Sequence, residues 1–232
     1  MAPLALLLAL HGPIQGPAQI PSDAVIIQKP VVKTIRYLIY FPDGYAGSHD
    51  RFPFILFLHG SGERGTDLND VRKHGPPKET AAGRKLPFVI ISPQCDPGAS
   101  WDTDVLTALL NDAERRYRID KKREYLTGLS MGGFGTWALA IANPKRFAAI
   151  APIAAGGDPT KVALLKNVPV WVTHGDKDPS VPIARDQEMV DALKAAGGDV
   201  RFDIVPGGQH DVWTPVYAGN DLYSWFLSHK LP

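Results

Sequence analysis
The sequence predicts an α/β protein built on a mostly parallel β-sheet with helices on both faces. Three observations carry that reading. From Phe54 onward, β-rich runs alternate with stretches of helical spacing, the order expected of βαβ units. The inner runs, residues 54–58, 88–92 and 148–153, are almost wholly apolar and do not alternate, as expected of strands covered on both faces. The runs pass into loops rich in Gly, Asp or His, and sites in such sheets lie beyond the carboxyl ends of the strands.

Residues 33–40 are β-rich and partly alternating, which suits an outer strand, and Pro42-Asp43-Gly44-Tyr45 makes a turn. Residues 54–58 form a central strand that ends in His59-Gly60-Ser61-Gly62-Glu63-Arg64-Gly65. A loop this rich in Gly directly after a buried strand brings its backbone close to something. Residues 88–92 form the next strand, followed by a polar loop carrying Trp101 and an amphipathic helix over residues 104–117. Residues 148–153, 168–173 and 200–205 read as strands and residues 183–196 as a helix that Gly197-Gly198 ends. A closing helix is expected over residues 217–229.

The element with most chemistry in it lies between these. Residues 125–127 read as a strand, residues 134–142 as a helix, and Gly128-Leu129-Ser130-Met131-Gly132 joins them. This is a G-x-S-x-G turn in the strand–turn–helix context that lifts a serine hydroxyl clear of a sheet. So sharp a turn requires flanking residues without a Cβ. It also aims the first amides of the helix at the serine, where they can hold an oxyanion.

A serine hydroxyl needs a base, and the base needs a carboxylate. Of seven histidines, only His210 occupies a Gly-rich loop after the last strand. His59 and His174 precede glycines at strand ends, where a neutral imidazole bonded to backbone is expected. Asp178 is preferred over Asp176 because Pro179-Ser180-Val181-Pro182 fixes its loop; Asp176 reads as a brace. The chain order Ser130, Asp178, His210 is one of three known for serine hydrolases.

The remaining composition bounds the partners. The chain has 232 residues, 44% hydrophobic and 21% charged, with a formal net charge of +1. That gives no electrostatic case for nucleic acid or an anionic membrane. One cysteine, Cys95, permits no intrachain disulfide, and no metal or nucleotide fingerprint is present, so no cofactor is expected. Residues 1–20, with an apolar run at 4–10 and small residues after it, read either as an export leader or as a disordered tail. The first implies a secreted or periplasmic protein, the second a cytoplasmic one. Residues 21–232 read as one catalytic domain.

The chain resembles the α/β-hydrolases of the esterase and "predicted peptidase" group. These include the polyhydroxybutyrate depolymerase-like, feruloyl esterase-like and phospholipase/carboxylesterase-like enzymes, relatives of dienelactone hydrolase and of prolyl oligopeptidase catalytic domains. The resemblance rests on residues 58–65, on Ser92-Pro93-Gln94-Cys95, on residues 127–133, on His174-Gly175-Asp176-Lys177-Asp178 and on Gly208-Gln209-His210-Asp211. It implies Ser130 as nucleophile, His210 as base and Asp178 as its partner, with the amides of Ser61 and Met131 as oxyanion hole. The activity implied is a serine carboxylic-ester hydrolase acting on short-chain, aryl or polyester substrates. Peptidase and acyltransferase remain the alternatives. No long insertion precedes residue 168, so a cleft without a large lid is expected. Gly60, Trp101 and Trp213 are candidate pocket residues, the two tryptophans having a packing reading as well. Glu63 and Arg64 are expected to pair and brace the oxyanion loop.

Overall fold
The computed structural model describes residues 33–232, so the leader expected over residues 1–20 lies outside the described residues. Among the described residues seven strands form one sheet in the order β1-β3-β2-β4-β5-β6-β7. They are β1 (Arg36–Tyr40), β2 (Phe52–Leu58), β3 (Val89–Gln94), β4 (Ile119–Leu129), β5 (Ala149–Ile153), β6 (Val170–Gly175) and β7 (Val200–Val205). Only β1 runs antiparallel, at the edge against β3; the other pairs are parallel. The carboxyl ends of β2 through β7 therefore share one edge of the sheet.

Alternation along β2 divides the core. Phe54, Leu56 and Leu58 pack on one face with α2 (Thr103–Arg116), α3 (Met131–Ala142) and α4 (Ala184–Ala195), through residues such as Leu106, Trp137 and Met189. Ile55 and Phe57 pack on the other, under α5 (Trp213–Ala218) and α6 (Asp221–Leu227), with Tyr125, Tyr217 and Phe226. Each such side chain taken out of water contributes about 1.5–3 kcal/mol. Both faces of the central strands are covered, which is why their sequence does not alternate. Asp102 caps α2 by accepting from the amides of Asp104 and Val105. Among the described residues no helix is long and apolar enough to cross a membrane.

One expectation is corrected and one open stretch is filled. The closing helix expected over residues 217–229 starts earlier and breaks in two. The Arg84 guanidinium donates to the carbonyls of Tyr217, Ala218 and Gly219 and to Asn220 Oδ1 at 2.6–2.8 Å. It thereby takes up carbonyls that a continuing helix would bond to its own amides. The polar stretch around His74, to which the sequence assigns no element, contains a 3-10 turn (Leu68–Lys73) and a short helix α1 (Gly75–Ala81) with prolines in its first turn.

Candidate active site
Ser130 sits between β4 and α3 with φ +51° and ψ −120°, a conformation a non-glycine residue holds only where its surroundings impose it. Its amide donates to the Ile153 carbonyl at 2.9 Å, and its own carbonyl takes the Phe134 amide at 3.0 Å. Glycines make the turn possible by close approach. A Cβ on Gly132 would stand 1.9 Å from the Leu58 carbonyl oxygen, and one on Gly128 would stand 2.4 Å from the Gly132 oxygen. The first turn of α3 thus lies directly on the end of β2.

The loops after β6 and β7 bring two further groups to this turn. His210 Nε2 is 2.9 Å from Ser130 Oγ, and His210 Nδ1 is 2.6 Å from Asp178 Oδ2. A proton on Nδ1 donated to the carboxylate leaves Nε2 free to accept from the serine hydroxyl. The Asp178 carboxylate is fully buried and accepts the amides of Ser180 and Val181 at 2.8 and 2.9 Å on Oδ1. Burial pushes its pKa up, but the Val181 amide, the His210 ring and the Ser180 amide outweigh it and hold the group below its ordinary value. Asp176 instead accepts the Gly207 amide at 2.7 Å, bracing the His210 loop. The structure therefore brings the three sequence-predicted side chains into one hydrogen-bonded line.

The oxyanion candidates lie at the starts of two helical turns. Ser61 opens the 3-10 turn Ser61–Glu63 and Met131 opens α3, so neither amide has a partner within its own helix. Beneath this loop, His59 is wholly buried. Its Nδ1–H donates to the Gly60 carbonyl at 2.5 Å, and its Nε2 accepts the Cys95 amide at 3.0 Å. It is the neutral, backbone-bonded imidazole that the sequence leads one to expect. Burial lowers its pKa to about 4, against the opposing Gly60 bond and with a small contribution from Arg64.

Glu63 and Arg64 do not pair as expected. Arg64 reaches back to the carbonyls of Ser61 and Ala99. Glu63 turns inward, its Oε1 3.8 Å from His74 Nε2. His174 is not simply backbone-bonded either: its Nε2 meets the Val181 carbonyl, but its Nδ1 lies 2.8 Å from Asp186.

A cleft of about 430 Å³ opens beside Ser130, lined by Ser100, Trp101, Met131, Phe134 and Gly135. Trp101 both lines the cleft and packs on His59, its ring edgewise at 4.7 Å and its N–H donating to the His59 carbonyl at 3.2 Å. Gly60 and Trp213 are not in this lining. Gly60 lies against Leu129 and Glu63. Trp213 is buried with its ring edgewise to His210 at 5.0 Å and its N–H on His74 at 3.3 Å. Phe134 was not singled out from the sequence, because within an apolar helical run it reads as core. The connection from β5 to β6 holds a single 3-10 turn (Val162–Leu165), so no large lid stands there.

Residues 31–197 match the model of a family described as "Putative esterase", a span that includes Ser130 and Asp178. The chain is 27% identical over 147 residues to a bifunctional acetylxylan esterase/xylanase of Neocallimastix patriciarum, covering 60% of this chain and 21% of that protein. It is 25% identical over 181 residues to a "Probable feruloyl esterase C" of Aspergillus terreus, covering 73% and 64%. The chain thus spans less than two thirds of either relative. A crystal structure of a thermostable esterase superposes with a TM-score of 0.74 at 31% identity, covering 84% of this chain and 59% of that one. The shared architecture is the α/β-hydrolase fold.

Proposed function
The chain belongs to this esterase family, and on that premise we propose that it hydrolyses carboxylic esters through an acyl-enzyme formed on Ser130. The observation that carries the proposal is the line Ser130 Oγ, His210, Asp178 at 2.9 and 2.6 Å, set on a strained turn at the open edge of the sheet. In the proposed reaction His210 Nε2 takes the hydroxyl proton as Ser130 attacks the ester carbonyl. Asp178 holds the imidazolium that results. The amides of Ser61 and Met131 take the oxyanion, and such donors are typically worth about two to three decades in rate each. His210 returns the proton to the departing alcohol, and water then repeats the sequence on the acyl-enzyme.

The acyl group would enter the cleft beside Ser130. A volume of about 430 Å³ with Trp101 and Phe134 in its walls suits a short or an aryl acyl group. The acyl groups in the relatives' names, acetyl and feruloyl, fall in the same range. The test is hydrolysis of p-nitrophenyl esters from acetate to decanoate and of methyl ferulate, with a p-nitroanilide peptide alongside. Short or aryl esters should be turned over best, and Ser130→Ala should lose at least about a thousandfold. Equal turnover by the alanine variant, or a preference for the anilide, would contradict the proposal.

A further inference from the structure
Behind Asp178 lies a second buried ring that the proposed reaction does not use. His174, near the end of β6, is wholly buried. Its Nδ1 is 2.8 Å from Asp186 Oδ2, and its Nε2 is 2.9 Å from the Val181 carbonyl and 3.3 Å from Asp178 Oδ2. A carbonyl and an ionised carboxylate only accept, so satisfying both contacts requires a proton on each ring nitrogen. Burial opposes that charge, but the Asp186 bond, the Val181 carbonyl and the two carboxylates outweigh it, and the ring's pKa is raised.

Asp186 is equally committed. Its Oδ1 accepts Trp137 Nε1 at 3.0 Å, and its Oδ2 accepts the Ala155 amide at 2.9 Å besides His174. Trp137 belongs to α3, the helix that starts at the Ser130 turn. Ala155 follows Ala154, which holds a left-handed φ of +50° just past β5. One buried carboxylate therefore ties together the serine's helix, the end of β5 and, through His174, the loop that carries Asp178.

We propose that His174 is a positioning residue of the active site: a buried imidazolium, held by Asp186, that fixes the Asp178 loop through Val181 and tempers the charge Asp178 presents to His210. This rests on the reading of Ser130, His210 and Asp178 as the reacting set. His174 and His210 touch the same Asp178 oxygen, which puts their facing nitrogens no more than about 6 Å apart. Among the described residues, the charged groups in contact with His174 are Asp178 and Asp186, and the one in contact with His210 is Asp178. Asp176, Lys177, Arg185 and Asp211, on the adjoining loops and helix, are exposed. Removing a positive charge at that distance makes His210 easier to protonate, by about one to two pH units at an effective dielectric of about 20–40.

The experiment is nitrogen NMR of the histidine rings in the wild type and in His174→Asn, with the pH dependence of kcat/KM measured alongside on p-nitrophenyl acetate. In the wild type at pH 7 His174 should show two protonated ring nitrogens. In the variant the His210 titration should move up by about one to two pH units, the acid limb of kcat/KM should follow it, and the rate on that limb should fall about tenfold or more. A wild-type His174 with one protonated nitrogen overturns the proposal, even if the variant does not fold. So does a folded variant whose His210 titrates where the wild type's does, since a purely structural role would lower the rate without moving the limb. Ring titrations are read whether or not an ester is turned over, so failure of the esterase reading is recorded separately.

Discussion

Acid should destabilise the protein through His59, beneath the loop after β2, and by an amount that follows from its surroundings. The ring is buried and neutral, with Nε2 accepting the Cys95 amide and Nδ1–H donating to Gly60. Its folded pKa of about 4 lies below the 6.5 of an ordinary histidine. Between those two values the unfolded chain binds a proton at this position and the folded chain does not, so stability falls as the pH falls. The contribution is fully present above about pH 6.5 and lost on approaching pH 4. At about 1.4 kcal/mol per pH unit, it amounts to about 3 kcal/mol. Glu124 acts in the opposite sense: burial pushes its carboxyl up to about 7 despite Arg146, so its contribution declines as the pH rises from about 4.5. Subtraction removes that opposing effect. Urea unfolding of the wild type and of His59→Gln, at four pH values from 7 to 4, should show the wild type's advantage shrinking by about 3 kcal/mol. An advantage that stays constant with pH would refute the neutral, buried assignment of His59.

Three further outcomes follow from single contacts. Gly132→Ala places a methyl against the Leu58 carbonyl with backbone on both sides; it should cost more than about 3 kcal/mol in thermal or urea unfolding and remove esterase activity. Arg84→Met releases the carbonyls at the break between α5 and α6; it should cost about 2 kcal/mol in the same unfolding assays. Any rate loss at 25 °C should stay within a fewfold, since Arg84 touches none of the reacting groups. Asp178→Asn keeps the shape of the carboxylate but favours the wrong His210 tautomer; kcat on p-nitrophenyl acetate should drop about 10³- to 10⁴-fold with little change in fold by circular dichroism.

How much of this was legible in the sequence depended on whether a signal was local. Ser130, Asp178 and His210 each stand in a loop directly after a strand, and Gly and Pro mark those loops, so residue type and chain order were enough to select them. Trp101 was legible for the same reason. Phe134 was not, because one aromatic that faces a cleft looks, within an apolar helix, like its neighbours that face the sheet. Asp186 reads as an ordinary acidic residue in the first turn of a helix. Its burial against His174, Trp137 and Ala155 depends on elements far apart in the chain, and with it goes the charge of His174. The division of the last helix had the same origin, since Arg84 lies 133 residues from the first carbonyl it takes. The helix α1 spans only seven residues, with Pro76-Pro77 in its first turn, too short a stretch to display a helical period.

The most direct test of the account is to identify the residue that becomes acylated. Incubation with diethyl p-nitrophenyl phosphate, followed by peptide mass spectrometry, should place one diethylphosphoryl group on the peptide containing Ser130. One equivalent of p-nitrophenol should be released and esterase activity lost in proportion; Ser130→Ala should take up none. Full esterase activity with no adduct, or an adduct carried by a different residue, would contradict Ser130 as the nucleophile.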